Sequence, residues 1–211
     1  MFKKSFIIAA VVTVAASIVS AVPVYNDLWD TAQGAAITGS SGTSNWASNM
    51  FGTNGGGLDA GATIFYDWIA YGYLPYPIGT EHWVQWQTAD VVSLGSFKLY
   101  AAHDGGTNAR SFDHFSLLAK DPDNGVWNEI YSTDVAVPYT YINAGEGFLI
   151  EHTFSAAITA QEFKASFRQH TAIFWASGPR VIELDGFAAV PEPATIAMLS
   201  IGSLALVRRK K

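Results

Sequence analysis

Nucleophilic, acid–base and metal chemistry each need particular side chains brought together. The five histidines, His82, His103, His114, His152 and His170, occur singly, and none has the H-E-x-x-H spacing that sets two zinc ligands on one helical face. Cysteine is absent, which removes thiol nucleophiles, and no serine stands in a G-x-S-x-G turn. Asp121 and Asp123 fall in Asp121-Pro122-Asp123-Asn124-Gly125, where carboxylates ordinarily cap turn amides. Paired glycosidase carboxylates can lie far apart in sequence, so a divergent glycan hydrolase is kept as an alternative. No spacing marks a catalytic residue, and the chain is read as a non-enzyme. Binding chemistry is concentrated in the segment from Trp68 to Pro77. There Trp68, Tyr71, Tyr73 and Tyr76 stand among Gly and Pro and can stack on the apolar face of a sugar, with amides and carboxylates binding hydroxyls. The alternative is that these rings cover one end of a β domain and fill its core.

The elements that must carry that segment read as short strands. Val84 and Trp86 alternate with glutamines, Phe97, Leu99 and Ala101 with Lys98 and Tyr100, and Phe115, Leu117 and Ala119 with polar neighbours. The turn Asp121–Gly125 joins the last of these to a strand from Trp127 to Tyr131, giving the clearest hairpin. Phe148–Phe154, Phe163–Arg168 and Val181–Phe187 complete about eight strands. Residues 31–61, rich in Gly, Ser, Thr and Asn, read as long ordered loops, because Trp46, Met50 and Phe51 are poor linker residues. The prediction is an all-β, antiparallel two-sheet jelly-roll sandwich over residues 22–189. Without cysteine, no disulfide stabilises it.

Each end carries a different signal. Lys3 and Lys4 precede an apolar run from Phe6 to Val19, and Val19-Ser20-Ala21 supplies small side chains for signal peptidase, so residues 1–21 are read as a signal peptide cut before Val22. At the other end Val190-Pro191-Glu192-Pro193 leads into an apolar stretch, Ala194–Val207, and a terminal Arg208-Arg209-Lys210-Lys211. As a helix that stretch spans about 21 Å, short of the roughly 30 Å hydrocarbon core; the basic end would stay cytoplasmic. Between the two basic ends lie all eighteen acidic residues and six basic ones, a net charge of −12. Such a surface disfavours nucleic acid and anionic lipid and suits cations or neutral ligands.

Pro191, Glu192 and Pro193 with the hydrophobic helix and the basic cluster begun by Arg208 and Arg209 resemble the PEP-CTERM sorting segment of Gram-negative bacteria. The resemblance implies processing of residues 190–211 by the membrane peptidase exosortase, transient anchoring by the C-terminus, and a cell-surface or extracellular-matrix destination where polysaccharide is abundant.

The order of segments from Trp29 to Phe187 resembles discoidin-like, galactose-binding-like sandwiches. It is carried by His82-Trp83-Val84-Gln85-Trp86, Phe115–Asp121 with Gly125-Val126-Trp127, and Arg180–Phe187. The chain departs from the family in lacking its cysteine pair and in carrying a long stretch from Val135 to Gly147. The resemblance implies a structural Ca²⁺ held by Glu183, with Asn45, Asp59 and other oxygens of the 45–59 loop. Alternatively, Glu183 is the outward residue of a strand whose Ile182 and Leu184 face in. The expected function is non-catalytic binding of carbohydrate or exopolysaccharide by an exported protein, with a ligand-free structural matrix role as the alternative.

Overall fold

The computed structural model describes residues 27–43, 46–52, 62–67, 75–103, 109–137, 149–173 and 176–189. Among them are seven strands, β1 (Ala36–Ser40), β2 (Thr63–Ile64), β3 (Glu81–Ala101), β4 (Phe112–Lys120), β5 (Trp127–Asp134), β6 (Ile150–Gln169) and β7 (Arg180–Ala188). Two 3₁₀ turns, Thr31–Gln33 and Ala47–Phe51, flank β1. Every strand pairing is antiparallel. No helix among the described residues is long and apolar enough to cross a membrane. The hairpin joining β4 to β5 is built as its residues require. Asp121 accepts from the Asp123 N–H at 2.8 Å through its side chain and from the Gly125 N–H at 2.9 Å through its carbonyl, and Gly125 takes φ 72°.

Two pairs of segments read as separate strands are continuous. β3 runs for 21 residues and β6 for 20. Their mutual register jumps from Gln87↔Glu162 to Val92↔Ala160, so Thr88–Val91 bulge opposite the single residue Gln161. Thr88 Oγ donates to the Asp90 carbonyl at 2.6 Å, and the Gln161 amide donates to the Thr88 and Ala89 carbonyls at 3.2 Å. Before this bend β3 carries β1 on its other edge; after it, β7. β6 carries β4 only beyond the bend, and β4 carries β5. The two layers are therefore β1-β3-β6-β4-β5 and β2-β7-β3-β6. They share their corner-turning strands, which makes all seven one hydrogen-bonded network.

The alternating apolar residues close on one another between the layers. Phe97, from the second half of β3, meets Phe115 of β4 at 5.8 Å between ring centroids, and Phe115 meets Phe167 at 5.4 Å. Trp86 lies 5.0 Å from Trp29 edge-on, 5.7 Å from Phe163 in a stack and 4.7 Å from Phe51. All of these rings are buried, and rings in such pairs contribute roughly 0.5–1.5 kcal/mol beyond the area they bury.

β7 gives the sandwich its long axis. It starts beside β2 and the loop at Arg110, and ends where Ala189 N–H donates to the Ser93 carbonyl at 2.8 Å. Nine residues of strand set these poles about 30 Å apart. Asp27 bridges Phe187, so the described chain begins and ends at the same pole.

Candidate functional site

Along the middle of β7 three acidic side chains are brought together. Glu183 and Asp185 are one strand repeat apart on β7 and both are buried, as is Asp27, which approaches from the N-terminal segment. Ligand atoms of the three carboxylates lie within 4.8 Å of one another. The reading of Glu183 as a solvent-facing strand residue is thereby corrected: Leu184 is inward as expected, yet Glu183 is 1% exposed, because Asp27 and its segment cover it. Asp27 Oδ1 accepts from the N–H groups of Trp29 at 3.0 Å and Gly186 at 2.7 Å. Its Oδ2 is buried without a hydrogen-bond donor, as is Asp30 Oδ2. Burial, reinforced by the charge of Asp185, pushes the Asp27 carboxyl from 3.8 to about 8. A depression of about 150 Å³, lined by residues including Asp27, Gln33, Thr88 and Asp90, borders one member of the cluster. Three hard oxygen donors, one with an unsatisfied buried oxygen, could hold a metal ion.

Gly186 seats this cluster. A Cβ there would lie 2.5 Å from the Trp29 ring. The Gly186→Ala variant should therefore lose about 3 kcal/mol or more, since neither the ring nor the strand has room to move; urea midpoints of the two proteins measure it.

The opposite pole is held by a buried ion pair. Arg110 Nη1 and Nη2 donate to Asp67 Oδ1 and Oδ2 at 2.9 and 3.1 Å, with side chains 12% and 9% exposed. Asp67 Oδ1 also accepts from the N–H groups of Ser177 at 3.1 Å and Gly178 at 3.0 Å. Arg110 holds φ 65°, a left-handed conformation unusual for its type. The pair thus ties the residue before segment 68–74 to those after 104–108 and 174–175.

Of the aromatic candidates, Tyr76 is half-buried, its ring edge-on to His82 at 5.4 Å. His82 bonds Gln169 at 2.8 Å, and burial holds its imidazole below the ordinary value. Trp68, Tyr71 and Tyr73 lie outside the described residues, as do Asn45, Asp59, Pro191, Glu192, Pro193, Arg208 and Arg209. Asp27 and Asp185 were missed from sequence. The two-residue spacing of Glu183 and Asp185 was a usable signal for the second, whereas nothing local points to Asp27.

Comparison with known proteins fits both ends of this picture. Residues 189–211 match the family model described as a PEP-CTERM protein-sorting motif. The chain carries that sorting motif. The comparison with curated proteins found no match. Among solved structures, the chain is similar to CBM32-3 from a family 31 glycoside hydrolase of Clostridium perfringens, at 12% identity over 76% of this chain and 94% of that one, TM-score 0.52. It is also similar to allantoicase, at 12% identity over 80% of this chain and 45% of that one, TM-score 0.51. These likenesses establish the fold, a galactose-binding-like β-sandwich, which by itself names no activity.

Proposed function

We propose that this protein is exported, released from its signal peptide before Val22, sorted by exosortase, and binds carbohydrate of the extracellular matrix as a non-catalytic module that leaves its glycosidic linkages intact. The observation that carries the reading is the placement of the two poles. The sorting motif begins at Ala189, at one end of β7. The aromatic segment with Trp68, Tyr71 and Tyr73 begins next to Asp67, at the other end. A protein tethered by the first pole presents the second to its surroundings. CBM32-3, with the same sandwich, is by its name a carbohydrate-binding module, and the acidic chain suits a neutral glycan better than a phosphate polymer.

Calcium at Asp27, Glu183 and Asp185 fits the reading as a structural ion. Its charge would satisfy the buried carboxylates and hold the N-terminal segment against the closing strand. Asn45 and Asp59 are proposed as further ligands. The function is tested by a glycan and exopolysaccharide screen on the 22–190 region, with and without calcium. Saturable binding supports the reading; a folded domain that binds no polysaccharide favours the structural matrix role.

A further inference from the structure

The hairpin of β4 and β5 places three further residues in contact, away from both poles' machinery. His114 of β4 stands directly opposite Asp134 of β5, and Ser132 stands opposite Ser116. His114 Nδ1 is 2.9 Å from Asp134 Oδ1, and Ser132 Oγ is 3.3 Å from His114 Nε2. The tautomer that donates from Nδ1 to the carboxylate leaves Nε2 to accept the serine proton. Arg168, on the adjacent β6, bonds Asp113 Oδ1 at 2.6 Å and comes within 3.5 Å of Asp134 Oδ1. The hydrogen bond from His114 keeps the Asp134 carboxyl below its ordinary value, so it is ionised beside the imidazole.

The backbone completes the arrangement. Val135 N–H donates to the Asp113 carbonyl at 2.9 Å. His114/Asp134 is therefore a non-hydrogen-bonded pair, and so, two residues back, is Ser116/Ser132. Side chains of such pairs approach most closely, which explains the contacts above. Their backbone N–H groups point away from the neighbouring strand, and no described strand pairs with the outer edge of β5. The Ser132 N–H thus faces the open edge next to its own Oγ, where it can donate to an oxygen bonded to the carbon under attack.

We propose that Ser132, His114 and Asp134 form a nucleophile, a base and its orienting carboxylate, hydrolysing short acyl esters at the open edge of β5. Ser132 Oγ attacks the acyl carbon while its proton passes to His114 Nε2, and the alcohol leaves with that proton. Water then adds to the acyl-serine, giving a proton to His114; the carboxylic acid departs as Ser132 Oγ takes the proton back. Ser132 is exposed on a strand face, so the site favours a small acyl group carried on a polymer hydroxyl over a substrate that needs an enclosing pocket. The same fold occurs in an enzyme, allantoicase.

The test treats the exported protein with a fluorophosphonate probe and, separately, with p-nitrophenyl acetate. Mass spectrometry should place the phosphonyl adduct on Ser132, absent in Ser132→Ala, reduced at least ~10²-fold in rate in His114→Gln, and unchanged in Ser155→Ala, an exposed serine of β6 outside the cluster. Ester hydrolysis should fall in step. Unchanged melting temperatures are expected for the serine variants and are read alongside. No adduct on Ser132, or hydrolysis that survives Ser132→Ala, overturns the proposal, including the case where it depends on His114 alone. Neither result bears on glycan binding at the opposite pole from the sorting motif.

Discussion

The Asp67→Asn variant is expected to melt about 10 °C below the parent, from a loss of roughly 3–5 kcal/mol when one partner of a buried ion pair is removed. Arg110 would keep its charge in a site 12% exposed, having lost a two-pronged acceptor, and the one amide oxygen left would have to serve it as well as the N–H groups of Ser177 and Gly178. Replacing Arg110 by Met leaves the opposite charge stranded and should cost a similar amount. The double variant then costs less than the sum, because neither stranded charge remains. A coupling of about 2 kcal/mol or more in this cycle, from urea midpoints, supports the pair as the tie of that pole. Additive losses would mean that the surrounding backbone holds Asp67, Arg110, Ser177 and Gly178 together unaided.

The second large effect comes from the acidic cluster. In a chelator, stability should fall as pH rises from about 4 to about 8. The sign follows from the direction of the shift: folding raises the Asp27 carboxyl from 3.8 to about 8, so the folded state binds the extra proton. Its contribution is fully present below pH 4 and is lost as pH rises through 8. The gap corresponds to on the order of 5 kcal/mol. Calcium should reverse the trend, raising the melting temperature most at high pH; at a hundredfold excess over Kd the gain is about 2.7 kcal/mol. Asp27→Asn should remove both the pH slope and much of the calcium response while keeping an acceptor for Trp29 and Gly186. A melting temperature indifferent to calcium at pH 8 contradicts the ion.

The sequence made some of this legible and hid the rest for identifiable reasons. The inward faces of β3, β4 and β6 were readable, since Val84, Trp86, Phe97, Phe115, Phe163 and their neighbours alternate with polar residues. The turn at Asp121–Gly125 announced the hairpin through its own chemistry. What failed was continuity: Thr88-Ala89-Asp90-Val91 reads as the end of a strand, yet it bends across from one layer to the other because Gln161 and Thr88 satisfy the interrupted backbone. Glu183 was singled out by resemblance alone, and its burial depends on Asp27, a residue from the far end of the domain. Ser132, His114 and Asp134 look unrelated in sequence; only the register of β4 against β5 puts them within hydrogen-bond reach.

The central claim is a division of labour between two poles, tether at one and ligand at the other. It is tested most directly by retention of the 22–190 region on immobilised exopolysaccharide, comparing the parent with a Tyr71→Ala/Tyr73→Ala variant and with Asp123→Ala/Asn128→Ala. The last two residues line a groove of about 510 Å³ beside the β4–β5 turn, toward the sorting-motif pole. The account predicts that the tyrosine variant folds but is no longer retained, while the groove variant binds like the parent. Retention that survives the tyrosine changes and disappears with the groove changes would contradict it.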